Sequence, residues 1–330
     1  MAKPITFHLH LRFTNDNSLR ISTMNKLLKI GTRESQLAVW QATLVKDLLE
    51  EHGIDAELVF IKSEGDIDLK TPLYEMGVQG IFTKTLDAAL LNNRIDIAVH
   101  SMKDVPTQLA QGIVQAAVLK RASFKDLLVF KTDGRFLADA NYNSNIATSS
   151  MRRKAQWLHK YPKHQIHNLR GNVNTRLKKL ETENWDAAIF AAAGLERINL
   201  RPENAVELDW MLPAPSQGAI MIACREYDNE TQEKCFLLND ESTALCTKIE
   251  KDFLRTLSGG CSTPISALAE IEEDELFFRG NIFSLDGSKK AEIEKIIPAE
   301  IASHIGVLAA EELLTNGGQQ IADEIRNAAK

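Results

Sequence analysis

The sequence predicts an α/β fold with mostly parallel sheets and a smaller α+β part at the C-terminal end. Three observations lead there. Short apolar runs alternate with amphipathic stretches from Leu27 to about residue 257, as in layered α/β proteins. One run, Ile95, Ile97 and Val99, stops abruptly at His100-Ser101-Met102-Lys103-Asp104-Val105-Pro106. Pro106 lacks a donor and restricts Val105, so regular structure ends there. Ser101, Lys103 and Asp104 are thereby delivered to the rim of a sheet, where open α/β sheets bind ligands. Finally, the alternation ceases from about residue 264.

The elements follow in order. Leu27–Ile30 reads as a strand and 35–51 as a helix with Leu37, Trp40, Leu44 and Leu48 on one stripe. Glu57–Ile61 is the next strand, followed by a polar, Gly-containing loop over 63–80 and a helix over 81–92. Further strands are predicted at 126–130, 145–148, 165–169, 186–190 and 218–224, and helices at 151–160, 173–183 and 241–257. Leu276–Phe283, a turn at Asp286-Gly287 and 291–297 predict a β-hairpin. Helices over 298–315 and 319–329 close the chain.

Bulk properties narrow the class. The 330 residues suffice for two or three cores. A net charge of −6 does not suggest a nucleic-acid binder, and no apolar stretch is long enough to predict a membrane span. The four cysteines, Cys224, Cys235, Cys246 and Cys261, form no C-x-x-C pair, and no two histidines have metal-ligand spacing. No metal is expected, and free thiols point to the cytoplasm. Residues 1–24 contain no signal-peptide core; they read as a disordered extension or as a stretch upstream of a start at Met24. Lack of an export signal disfavours a periplasmic role.

Three strand-to-helix turns share one design: Gly31-Thr32-Arg33-Glu34-Ser35, Thr148-Ser149-Ser150-Met151-Arg152-Arg153, and Leu169-Arg170-Gly171-Asn172-Val173-Asn174-Thr175-Arg176. Each puts small or hydroxyl residues where helix N–H groups lack partners, and each adds arginines, whose forks recognise carboxylates or phosphates. One such turn is most simply a capped helix with solvated arginines. Three turns with five arginines point to a polyanion site. Arginine at a helix N-terminus is locally unfavourable, and such violations mark functional sites. With no phosphate-binding glycine motif, several carboxylates fit better than a nucleotide. Cys261, in Gly259-Gly260-Cys261-Ser262-Thr263-Pro264, has the setting of a reactive or modified thiol. Cys224, inside Ile220–Cys224, reads as an inert core thiol.

Taken together, these segments resemble the porphobilinogen deaminase (hydroxymethylbilane synthase) family from about Lys29 to the C-terminus. Gly65-Asp66, Ala193-Gly194-Leu195-Glu196-Arg197 and Pro215-Ser216-Gln217-Gly218-Ala219 complete the ordered series. The resemblance implies a transferase of porphyrin and heme biosynthesis. It joins four porphobilinogen molecules head to tail with loss of ammonia, then releases hydroxymethylbilane by hydrolysis. It also implies a dipyrromethane cofactor held by a thioether, here on Cys261, and two periplasmic-binding-protein-like domains, with a third carrying the cysteine. The implied domains are 25–120 with 213–238, 121–212, and 239–330, with crossings near Lys120-Arg121 and Leu212-Pro213. The implied catalytic residues are Asp104, stabilising the cationic azafulvene, and Lys103, contacting substrate or guiding proton transfer. Arg33, Arg152, Arg153, Arg170, Arg176 and Arg197 would bind carboxylates. Gln217, Ser35, Ser101, Ser149 and Ser150 would complete the hydrogen bonds. A monomer is expected. One departure stands out: Gly77-Val78-Gln79-Gly80 has Gln79 where relatives carry lysine.

Two other readings compete. A non-catalytic, two-lobed carboxylate-binding protein explains the arginine turns but not Asp104 among cations or the setting of Cys261. A cysteine-nucleophile transferase would need a histidine base near Cys261.

Overall fold

The computed structural model describes residues 27–62, 83–131, 134–138, 142–260 and 263–328. The extension 1–24, the loop with Gly65-Asp66 and Gln79, the start of the helix expected over 81–92, and Cys261 lie outside the described residues.

Two five-stranded sheets form two lobes. The first contains β1 (Leu28–Thr32), β2 (Ala56–Phe60), β3 (Ile97–Ser101), β4 (Ile113–Val118) and β10 (Ile220–Arg225), in the order β2-β1-β3-β10-β4. The second contains β5 (Asp126–Phe130), β6 (Asn145–Ala147), β7 (Gln165–His167), β8 (Ala187–Ala191) and β9 (Ala205–Glu207), in the order β7-β6-β8-β5-β9. The two orders are the same topology. In each sheet four strands run one way and one opposes them, β10 in the first and β5 in the second. The opposing strand is in each case the one the chain enters after crossing between lobes. The expectation of mostly parallel sheets holds. The sequence reading leaves β4 and β9 unassigned, because neither alternates cleanly or forms an apolar block.

Helices α1 (Gln36–Glu51), α2 (Lys84–Leu91), α3 (Met151–Lys160), α4 (Val173–Thr182) and α5 (Ala192–Glu196) accompany the strands. Ile30, Leu86, Ile95 and Ile97 are fully enclosed in the first lobe; full burial of each such side chain contributes about 1.5–3 kcal/mol. The predicted stripe of α1 is corrected in its first half. The helix buries Ala42, Val45 and Leu49, while Leu44 and Leu48 are half-buried. Trp40 is exposed toward the second lobe, where Arg197 lies 5.8 Å from its ring centroid. Leu44 and Leu48 pack against the first-lobe core, whereas Leu37 and Trp40, at the start of the stripe, meet the second lobe.

The third part begins after α6 (Asn229–Phe236) with α7 (Glu241–Thr256), which packs on a three-stranded antiparallel sheet. Its strands are β11 (Ile265–Glu272), β12 (Glu275–Phe283) and β13 (Lys290–Pro298). The predicted hairpin is therefore two strands of three. The helix expected over 298–315 opens as a 3₁₀ turn (Ala299–His304) before α8 (Ile305–Leu313), and a kink at Asn316-Gly317 leads into α9 (Gln319–Ala328).

The crossings are pinned together. Ala122 N donates to Gly218 O at 3.2 Å, and a Cβ on Gly218 would lie 2.6 Å from Ala122 O. With φ at +89°, only glycine sits there without strain. Glu250 of α7, fully buried, accepts from Arg121 at 2.6 and 3.0 Å and from the Ser216 and Ala269 backbones. One carboxylate thus ties both crossings to the third part.

Candidate active site

The strand β3 ends as the sequence requires. Met102–Asp104 form one 3₁₀ turn, closed by Val105 N donating to Met102 O at 3.2 Å, with Pro106 following. Lys103 and Asp104 are half-buried and face the cleft between the lobes. Gln41 of α1 donates to Ser101 Oγ at 2.9 Å. Ser35 caps α1, accepting from Ala38 N at 3.4 Å, so Arg33 lies just before the cap on the same wall. His100 is buried; burial, with Arg33 and Lys251 nearby, pushes its pKa down to about 4. It is a neutral strand-end residue near pH 7.

The second lobe supplies helix starts. Ser150 caps α3 by accepting from Arg153 N at 3.4 Å, and Asn172 caps α4 by accepting from Thr175 N at 3.0 Å. Arg152 and Arg153 are only 4% and 6% exposed. The fully buried carboxylate of Asp126, the first residue of β5, makes their burial tolerable. Arg153 donates to Asp126 Oδ1 at 2.7 and 3.1 Å, and Arg152 lies 2.8 Å from Oδ2. Burial alone would raise the Asp126 carboxyl. The two guanidinium groups outweigh it and hold the group well below the usual carboxylate range.

Gln217, on the second crossing, connects this pair to the first lobe. Its Nε2 donates to Asp126 Oδ1 at 2.9 Å, and its Oε1 accepts from Lys103 Nζ at 3.3 Å. Burial and the charge of Arg153 push the Lys103 pKa down to about 8 against Asp104 and Asp126, which raise it. Arg176 folds back to donate to Gly171 O at 2.7 Å, and burial, with Arg153, takes its pKa down to about 10.

The cleft encloses about 210 Å³. Of the predicted residues, Arg33, Ser35, Ser101, Lys103, Asp104, Arg153, Arg170 and Arg176 line it. Among its described lining residues Asp104 is the single acid, against five cations. The other predicted residues stand behind the wall. Arg152 and Gln217 hold Asp126. Ser149 donates to Asn168 Oδ1 at 2.6 Å and accepts from Leu169 N at 2.9 Å, which braces one arginine turn against the next. Ser150 is spent on its cap. Arg197 donates to Gly218 O at 2.6 Å, and burial takes its pKa down to about 10.

Asp126 is the functional residue that sequence reasoning missed. Its signal was present: a carboxylate opening the otherwise apolar run Asp-Leu-Leu-Val-Phe needs a charged partner if the strand is buried. Gln41 was missed too, as a polar residue on the buried side of α1.

Comparison with known proteins gives the family. Residues 28–233 match the family model "Porphobilinogen deaminase, dipyromethane cofactor binding domain", and 244–315 match "Porphobilinogen deaminase, C-terminal domain". The chain is 41% identical to the porphobilinogen deaminase of Geotalea uraniireducens, over 91% of this chain and 95% of that one. It is 40% identical to that of Chloroherpeton thalassium, over 92% and 99%. Among solved structures, the methionine binding protein MetQ is 15% identical with a TM-score of 0.41, covering 64% of this chain and 89% of that one. The chain belongs to the porphobilinogen deaminase family, whose model over residues 28–233 is that of a dipyrromethane cofactor binding domain.

Proposed function

We propose that the cleft between the lobes is where this transferase joins porphobilinogen units head to tail, and that hydroxymethylbilane is its hydrolysed product. The observation that carries the reading is five cations around one carboxylate at a strand exit. A dipyrromethane presents four carboxylates and each added pyrrole two more, so the donor set fits the cofactor's chemistry. When bound, the cofactor supplies a covalent anchor for the growing chain.

The chain's own residues divide the work. Arg33, Arg153, Arg170 and Arg176 bind acetate and propionate groups. Asp104 faces the positive charge that develops as the C–N bond breaks and ammonia leaves. Lys103, with a pKa of about 8, holds a proton at Nζ near neutral pH and can pair with a substrate carboxylate or pass the proton on. Ser35 and Ser101 add hydrogen bonds at the first-lobe wall. Arg152, Gln217, Ser149, Ser150 and Arg197 hold the wall itself. Residues 25–120 with 213–238, 121–212, and 239–330 act as three domains of a monomeric, cytoplasmic enzyme.

Cys261 is the proposed attachment point. Its flanking residues Gly260 and Thr263 are joined by hydrogen bonds of 3.1 and 2.7 Å. Burial pushes the thiols of Cys224, Cys235 and Cys246 up to about 11, 12 and 12, so none of those three is poised to react. Intact mass spectrometry tests the assignment. One stable adduct is expected on the parent and on Cys224→Ser, and none on Cys261→Ser. A fully active chain of unmodified mass would overturn it, and a bare, inactive chain with high affinity for carboxylates would favour a binding protein.

A further inference from the structure

The turn that carries Lys103 and Asp104 is held from behind by the third part of the chain. A 3₁₀ turn of three residues has poor hydrogen-bond geometry and is weak alone. Its start is fixed by Met102 N, which donates to Ala219 O at 3.0 Å. Its end is the weaker point. Pro106 brings no N–H to continue the turn. The carbonyl of Val105, a residue only 3% exposed, therefore needs a donor from elsewhere. Lys251 of α7 supplies it, with Nζ donating to Val105 O at 2.5 Å. A cation at the last carbonyl of a helical turn is also electrostatically favourable.

The helix that makes this tie grips the rest of the site as well. Glu250, the preceding residue, accepts from Arg121 and from the Ser216 backbone at the crossings. Neighbouring side chains on a helix point about 100° apart, so α7 holds the crossings on one side and the reacting turn on another. Ala244, about two turns before Lys251 on the same face, packs against the cluster that encloses Met102 and Val105. The Lys251 ammonium also acts on the strand that feeds the turn. Burial, then Arg33, then Lys251 push the His100 pKa down to about 4. Beyond α7 the chain runs through Ser258-Gly259-Gly260 to Cys261.

We propose that Lys251 is a positioning residue for the reaction. From the part of the chain that bears Cys261, it fixes the Met102–Asp104 turn and thereby the place of the Asp104 carboxylate against the reacting pyrrole. The inference rests on the role given to Asp104 above. It divides the effects of mutation in a definite way. The arginines bind carboxylates, so their loss appears in KM. Lys251 acts on the turn through the Val105 backbone, so its loss appears in kcat.

Kinetics of the cofactor-loaded enzyme in two backgrounds test the proposal. Misplacing a reacting group by about 1 Å can cost on the order of a hundredfold. Lys251→Met should therefore lower kcat about tenfold to a hundredfold, with KM near the parent value. In the Asp104→Asn background the same change should cost less than about twofold, because no carboxylate is left to place. Lys251→Arg keeps donor and charge and should restore most of the rate. Lys248→Met removes a cation paired with Asp252 on the same helix and should be neutral. Hydrogen exchange reads the hold without turnover. The Val105 amide, which closes the turn, should exchange about tenfold to a hundredfold faster in Lys251→Met, with the β1 amides unchanged. Lys251→Gln, a shorter neutral donor, carries the same tests should the methionine variant not fold. An equal loss in both backgrounds makes Lys251 a tie of the general fold and overturns the inference, as does parent kcat or parent exchange in Lys251→Met. A parent rate for Asp104→Asn overturns the reading of Asp104 itself, and the inference with it.

Discussion

The two lobes share one topology and carry different chemistry at equivalent turns. The β1–α1 turn with Arg33 corresponds to the β6–α3 turn with Arg152 and Arg153, and the β3 exit with Lys103 and Asp104 to the β8–α5 turn. At that last pair the first lobe places an amine and a carboxylate, where the second reads Ala191-Ala192-Ala193-Gly194. The second lobe instead brings Arg153, Arg170 and Arg176 to the cleft from two helix starts. Its opposing strand opens with Asp126, which neutralises the arginine pair. The corresponding strand of the first lobe opens with Ile220. One scaffold therefore serves as a grip on one side and as the reacting wall on the other. What separates them is a few residues at strand exits, not the architecture.

Removing Asp126 gives the largest expected effect, because it attacks the grip at its base. Breaking a buried ion pair by deleting one partner costs about 3–5 kcal/mol, and here two guanidinium groups lose their counter-charge. Asp126→Asn should lower the unfolding free energy obtained from urea denaturation by an amount in that range. The pH dependence has a definite sign. The folded-state carboxyl lies below its ordinary 3.8, so its stabilisation is present above 3.8 and is lost progressively as pH falls from there through the lower folded-state pKa. An Asn variant as stable as the parent at pH 7, with the same acid transition, would show that the arginines need no internal counter-charge.

Asp104 tests the other wall. Loss of a group pre-placed against developing charge costs on the order of 100- to 1,000-fold in rate. Asp104→Asn should elongate the chain that much more slowly in single-turnover kinetics, with little change in stability, the reverse of the Asp126 pattern. Asp104→Glu keeps the charge but moves it, and misplacement by about 1 Å can cost on the order of a hundredfold. A near-parent rate for the Asn variant would reduce Asp104 to a partner for Lys103.

The contrast between walls also shows what a sequence reveals. Strand exits and helix starts were legible, because Pro106 and the caps at Ser35, Ser150 and Asn172 act through neighbouring backbone. Eight cleft-lining residues came from those segments. Asp126 escaped because its meaning depends on arginines 26 and 27 positions later. The first half of the α1 stripe was misjudged for a related reason. Trp40 and Leu37 look like core by composition, yet they face the second lobe. Long-range pairing, rather than local propensity, hid both.

Within the grip, Arg176 and Arg170 should show smaller losses. A charged hydrogen bond is worth roughly 1.5–3 kcal/mol, so alanine at either should raise KM about tenfold to a hundredfold. Lysine should restore only part of it, since the guanidinium fork is lost. Full rescue by lysine at both positions would show that these sites supply charge without bidentate recognition.

The smallest effect joins the two walls, because the Lys103 pKa is set by the other lobe. Burial, and then the charge of Arg153, bring it from 10.5 to about 8. Below that value Lys103 is charged and can hold a carboxylate, so kcat/KM should fall several-fold as pH rises through about 8, while Lys103→Arg should stay flat there. Stability should move the opposite way. Between about 8 and 10.5 the unfolded chain holds a proton that the folded chain has released, so Lys103 makes folding more favourable as pH rises across that window. Removing the Arg153 charge in Arg153→Gln should shift the activity break upward, because the largest charge opposing protonation is gone. A break that stays at the parent pH in that variant would assign it to a group other than Lys103, and would separate the two walls electrostatically.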